Sequence, residues 1–118
     1  MKKKILIVED EKPLCLLYEE ELSRAGYDVT AVMDADAALA ALRERDFDLI
    51  VTDIRMPGKN GIELITEIMG LRKDIPIIIN SAYQSYKEDF MTWAADAYVV
   101  KSSSLDELKE RIKNLLGE

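Results

Sequence analysis

Short, continuously apolar runs alternate along this chain with stretches of helical periodicity, and that alternation restricts the fold more than any other feature. The apolar runs are Ile5–Val8, Tyr27–Val32, Phe47–Thr52, Ile75–Ile79 and Ala97–Val100. Strands that are apolar on both sides are covered on both faces, as in a parallel sheet. Tyr27–Val32 alternates more than the others, which places it toward a sheet edge.

The intervening stretches carry helical stripes. Leu14, Leu17, Tyr18, Leu22 and Ala25 predict a first helix, with Pro13 in its first turn and Gly26 just past its end. Ala35, Ala38, Leu39 and Leu42 follow Asp34, an N-cap residue type. Ile62, Ile65, Ile68 and Met69 form a third stripe. Phe90, Met91 and Ala94 mark a fourth around Ser85–Ala95, and Met56, Met69 and Met91 are expected to fill the core or its edge. Ser104 and Glu107 form a capping box ahead of Leu108, Ile112, Leu115 and Leu116, with Gly117 as the stop. The order is (βα)5, an α/β fold with parallel strands, right-handed crossovers and helices on both faces. At 118 residues the chain is expected to be one domain, 1–118.

Composition excludes several functions. Lys and Arg number 16 against 23 Asp and Glu, a formal charge of −7 that disfavours nucleic-acid binding by this domain. Histidine is absent, which removes Ser-His-Asp triads, His-ligated zinc and histidine phosphotransfer within the chain. The single cysteine, Cys15, excludes an internal disulfide and suits a reducing compartment. The apolar run after Met1-Lys-Lys-Lys stops at Glu9, too short for a signal peptide, and no run approaches a membrane span. A cytoplasmic location without membrane contact is expected.

Chemistry gathers at the C-terminal ends of strands in such sheets. Glu9 and Asp10 follow the first run, Asp53 the third, Ser81 the fourth, and Lys101 the fifth. Three carboxylates sharing one sheet edge repel one another and call for a cation. An all-oxygen donor set without His or Cys selects a hard ion, and Mg2+ fits best.

These residues, together with Val8-Glu9-Asp10-Glu11, Thr52-Asp53-Ile54-Arg55-Met56-Pro57-Gly58, Asn60-Gly61, Ser81-Ala82 and Tyr98-Val99-Val100-Lys101, resemble the receiver domains of bacterial two-component response regulators. The resemblance covers Lys3 to about Leu116. It implies a flavodoxin-like sheet with strand order 2-1-3-4-5 and Asp53 as phosphoacceptor. The donor would be a histidine kinase or a histidine phosphotransfer protein, and the reaction would depend on Mg2+. Glu9, Asp10, Asp53 and the backbone carbonyl of Arg55 would hold the metal, while Ser81 and Lys101 would contact the phosphoryl oxygens. A carboxylate nucleophile that holds a phosphoryl group as an acyl phosphate agrees with this reading.

The resemblance also implies a switch. Ser81 would move toward the phosphoryl group and Tyr98 would turn inward, repacking the surface of the fourth helix, fifth strand and fifth helix that a downstream protein partner reads. Arg55 and Tyr83, each two residues past a site residue, are expected to tune the phosphoryl lifetime. Two positions depart from the family: Ser102 stands where a cis proline is usual, so a trans peptide is expected, and Ala94 replaces a frequent glycine.

Rival functions fit the residues less well. An Asp-nucleophile phosphohydrolase of the haloacid-dehalogenase type needs a second Asp at position 55, where Arg55 cannot act as acid or base. A flavodoxin-like carrier would have its phosphate repelled by Glu9-Asp10-Glu11, and no Walker loop is present. A receiver-like binding module that is never phosphorylated is the remaining alternative. The expectation is therefore a phosphoacceptor rather than an enzyme.

Overall fold

The computed structural model describes residues 2–53, 61–71, 74–82, 96–101 and 105–118. Five parallel strands form one sheet in the order β2-β1-β3-β4-β5: β1 Lys4–Val8, β2 Asp28–Val32, β3 Leu49–Thr52, β4 Ile77–Ser81 and β5 Ala97–Val100. Helices α1 (Lys12–Arg24), α2 (Ala35–Glu44) and α3 (Gly61–Leu71) connect the first four strands, and a C-terminal helix spans Asp106–Leu116. The expected strand order is the observed one.

Two apolar layers sandwich the sheet. Leu6, Val8, Ile50, Ile77, Ile79 and Tyr98 face α2 and α3. Ile5, Ile7, Leu49, Val51, Ile78, Ala97 and Val99 face α1 and the C-terminal helix. Both faces being covered explains why these strands read as unbroken Ile and Val, each fully buried side chain contributing roughly 1.5–3 kcal/mol. Among the described residues β2 pairs only with β1, and its residues remain half-buried or exposed, as its alternation predicts.

Local signals place most helix ends. Asp34 Oδ1 accepts a hydrogen bond from Ala37 N at 2.7 Å, making it the N-cap of α2. Pro13 lies in the first turn of α1, and Gly26 and Gly117 follow their helices with φ of 102° and 74°, left-handed values that favour glycine.

Several boundaries differ from expectation. Tyr27, Phe47 and Ile75 precede their strands, and β4 runs on through Ser81, so that residue ends a strand instead of following one. On α1 the buried face is Cys15, Tyr18 and Leu22, whereas Leu17 is 43% exposed and Ala25 lies outside the core. Met69 is 41% exposed, so it does not fill the core. The C-terminal helix starts at Asp106 with Leu105 at the N-cap and no side-chain cap, one residue later than a Ser104 capping box requires. Ser104, the expected helix around 85–95 with Met91 and Ala94, Met56 and the Lys101–Ser102 peptide lie outside the described residues. Among the described residues no helix is long and apolar enough to cross a membrane.

Candidate functional site

The site residues are fixed by the last hydrogen bonds of the sheet. Glu9 N donates to Val32 O (3.0 Å), Asp53 N to Val8 O (3.2 Å) and Lys101 N to Ser81 O (2.7 Å). Each of these three residues is the first beyond its strand, yet its backbone is still held by the neighbouring one. Thr52, fully buried, donates its hydroxyl to Asp53 O at 3.0 Å, which satisfies the carbonyl where the ladder ends.

This placement brings Glu9, Asp10 and Asp53 together, with one carboxylate oxygen from each within 4.8 Å of the others. Lys101 Nζ lies between two of them, 2.7 Å from Glu9 Oε1 and 2.7 Å from Asp53 Oδ2. Glu9 is only 1% exposed, and its second oxygen accepts from Glu11 N at 3.1 Å. Among the described residues, one ammonium thus compensates one of three formal negative charges.

The electrostatics of the pair are unequal. Burial pushes the Glu9 carboxyl above its ordinary range, outweighing the hydrogen bonds from Lys101 and Glu11 that oppose it. Burial alone would lower Lys101, but its hydrogen bonds to Asp53 and Glu9 and their charges hold it well above the usual lysine range. We take Lys101 as firmly protonated, because two carboxylates surround it at hydrogen-bond distance.

The donor set suits a hard divalent cation. Three carboxylates with no nitrogen or sulfur ligand, two of them buried, are an oxygen-only cluster with negative charge in excess of its lysine.

The other expected site residues are placed as follows. Ser81 is fully buried at the end of β4, and Ala82 beside it is exposed. Tyr98 is 6% exposed and packs in the layer toward α2 and α3, so the expected inward turn begins from a ring that is already inside. Arg55 and Tyr83 lie outside the described residues. Sequence reasoning did not single out Asn80, a buried amide closing the run Ile77-Ile78-Ile79, although a polar residue at the end of such a run is a visible signal.

Comparison with known proteins agrees with this geometry. The family profile of the response regulator receiver domain matches residues 5–113. The chain belongs to that family. The two-component response regulator PhoP of Pseudomonas aeruginosa is 37% identical over 115 residues, which are 96% of this chain and 51% of PhoP, so the chain spans about half the length of that relative. Among solved structures, the response regulator TrrA of Thermotoga maritima in complex with Mg2+ and BeF is 43% identical, with a TM-score of 0.90 over 96% of this chain and 98% of TrrA. TrrA in complex with the histidine kinase ThkA is similar to the same degree, 44% identical with a TM-score of 0.89 over 97% of this chain and 98% of the other. The receiver fold accounts for the convergence of β1, β3 and β5 on one edge.

Proposed function

We propose that residues 1–118 form one receiver domain in which Asp53 accepts a phosphoryl group from a histidine kinase or a histidine phosphotransfer protein. The observation that carries this reading is the cluster of Glu9, Asp10 and Asp53 at one sheet edge with Lys101 bonded to two of its members. The complexes of TrrA with Mg2+–BeF and with a histidine kinase support it by similarity.

Glu9, Asp10, Asp53 and the carbonyl of Arg55 would hold Mg2+. When bound, the ion neutralises charge on a phosphoryl oxygen and on the carboxylates. An Asp53 oxygen attacks phosphorus, forming the O–P bond of an acyl phosphate while the bond to the donor breaks and the donor keeps its electron pair. Lys101 Nζ, already beside Asp53, turns a hydrogen bond to a second phosphoryl oxygen, and the Ser81 hydroxyl serves the third. Ser81 and Tyr98 then carry the change to the face of β5 and its flanking helices, where a downstream protein reads it. Arg55 and Tyr83 would screen the acyl phosphate from water. The domain acts as a phosphoacceptor in the cytoplasm, without nucleic-acid contact of its own.

Intact mass after incubation with Mg2+ and a small acyl phosphate tests the reading. The expected result is a gain of one phosphoryl group that Asp53→Asn abolishes. A gain that survives the substitution places the acceptor elsewhere, and no gain with any donor favours an unphosphorylated binding module.

A further inference from the structure

The strands that lead to Asp53 and Lys101 begin in the same way. Asp96, the residue before β5, donates its N–H to Ile77 O at 2.8 Å, and its Oδ2 accepts from Ile77 N at 2.8 Å. Asp48, the residue before β3, donates to Lys4 O at 2.7 Å, and its Oδ2 accepts from Lys4 N at 2.7 Å. Ile77 and Lys4 are the first residues of β4 and β1. Each aspartate thus closes a two-bond clamp across the start of two neighbouring strands. In each clamp the bond to the carboxylate is charge-assisted, roughly twice as strong as a neutral one.

The clamps differ in what else holds their strand. β3 lies between β1 and β4 and is fixed on both sides. Among the described residues β5 pairs with β4 alone, over four residues at the sheet's edge. Its sequence Ala97-Tyr98-Val99-Val100 is apolar at every position, with Tyr98 in one covered layer and Ala97 and Val99 in the other. A strand with one apolar face is kept in register by that face; a strand apolar throughout needs another source of register. β5 is bonded at both ends, by the Asp96 clamp at its start and by Lys101 N to Ser81 O at 2.7 Å at its finish. A slip by one residue moves a strand about 3.3 Å along its neighbour and turns every side chain to the opposite face. Lys101 Nζ, 2.7 Å from both Glu9 Oε1 and Asp53 Oδ2, has little tolerance for such a shift.

We propose that Asp96 is a positioning residue: its clamp on Ile77 sets the register of β5 on β4 and thereby places the Lys101 ammonium between Glu9 and Asp53. The proposal rests on the reading of Lys101 as a ligand of the phosphoryl group. Asp96 touches no reacting atom and lies roughly 16 Å along the strand from Lys101, at about 3.3 Å per residue. It acts through the strand. Misplacement of a contacting group by about 1 Å can slow a reaction on the order of a hundredfold, so even partial loss of register is costly. Metal binding draws on Glu9, Asp10 and Asp53, which follow β1 and β3, and does not depend on this clamp.

The test uses wild type, Asp96→Ala, Lys101→Met, the double variant, and Asp48→Ala as a control clamp. Each is measured for Mg2+ affinity by calorimetry, for its urea midpoint, and for the rate of mass gain with acetyl phosphate at saturating Mg2+. Asp96→Ala is expected to slow phosphorylation about tenfold with Mg2+ affinity within about twofold of wild type. Asp48→Ala, whose strand is held on both sides, is expected to lower the midpoint while its rate stays within about twofold. Substitutions more than about 10 Å apart ordinarily add, so coupling between Asp96 and Lys101 is the signature sought. Lys101→Met is expected to lower the urea midpoint clearly less in the Asp96→Ala background than in wild type. An unchanged rate in Asp96→Ala overturns the proposal, as do additive midpoints or an equal slowing in Asp48→Ala. If Asp96→Ala does not fold, Asp96→Asn keeps one acceptor oxygen without the charge and enters the same cycle, with a smaller slowing of the same sign. A wild type that takes no phosphoryl group brings down the reading of the site itself, an outcome distinct from a phosphorylated wild type with an indifferent Asp96 variant.

Discussion

Lys101 contacts Glu9 and Asp53 at 2.7 Å each, and Glu9 is the more deeply buried of the two. Removing the ammonium leaves a buried carboxylate whose remaining partner among the described residues is the Glu11 amide. Lys101→Met is accordingly expected to lower stability at neutral pH by about 1–3 kcal/mol, with Mg2+ restoring part of the loss, as read by urea unfolding. An unchanged midpoint would mean the lysine does not stabilise the cluster. Asp10, Asp53 and Lys101 were legible in the sequence because charged residues closing apolar strands have few places to go. The double contact of Lys101 was not, because side-chain conformation depends on the spacing of β1, β3 and β5. A second titrating group lies far from the site. Tyr27 donates to Glu118 Oε1 at 2.9 Å, and burial, then that hydrogen bond and charge, push its phenol from 10.0 to about 12. Between those values the folded chain binds more protons than the unfolded one, so this contribution is complete below the lower value and is lost as pH rises toward the upper. Tyr27→Phe is expected to flatten the alkaline fall in stability across that window, measured by unfolding at several pH values.

Helix starts differ in how they are secured. α2 has the Asp34 cap, while α1 has Glu11 and the C-terminal helix Leu105 at the N-cap, neither with a side-chain cap. Asp34→Ala is expected to cost about 1 kcal/mol in urea unfolding without altering Mg2+ binding. A loss below a few tenths would show that tertiary packing alone holds the start of α2. Asp34, Pro13, Gly26 and Gly117 were readable because caps and stops are local chemistry. The buried face of α1 was not. Leu14, Cys15, Leu16, Leu17 and Tyr18 are apolar nearly all round the helix, so periodicity alone cannot choose between the stripe through Leu17 and the one through Cys15. The sheet chooses: Tyr18 and Leu22 seat on Ile5, Ile7 and Ile78, and Leu17 is turned outward.

At the scale of the molecule, the order 2-1-3-4-5 makes β1 and β3 neighbours and brings their acidic ends side by side, with Lys101 reaching in from β5 at the sheet's edge. Residues separated by up to 92 positions, Glu9 to Lys101, thus share one cluster, and nothing in the unfolded chain keeps its carboxylates together. A ligand of the cluster therefore binds the folded state alone and stabilises the whole domain. With Mg2+ at about a hundred times its dissociation constant the gain is about 2.7 kcal/mol, or roughly 10 °C in melting temperature for a domain of this size. Asp10→Asn removes one of the three carboxylates but leaves both contacts of Lys101, so its metal-free melting temperature is expected to equal or exceed that of wild type. Its response to Mg2+ should largely disappear. Thermal unfolding of both proteins over a Mg2+ titration checks this. A wild-type curve indifferent to Mg2+ would remove the metal from the site, whereas an equal rise in both proteins would move it away from Asp10. The wild type pays for its third carboxylate in repulsion, and the titration measures how much of that repulsion the metal relieves.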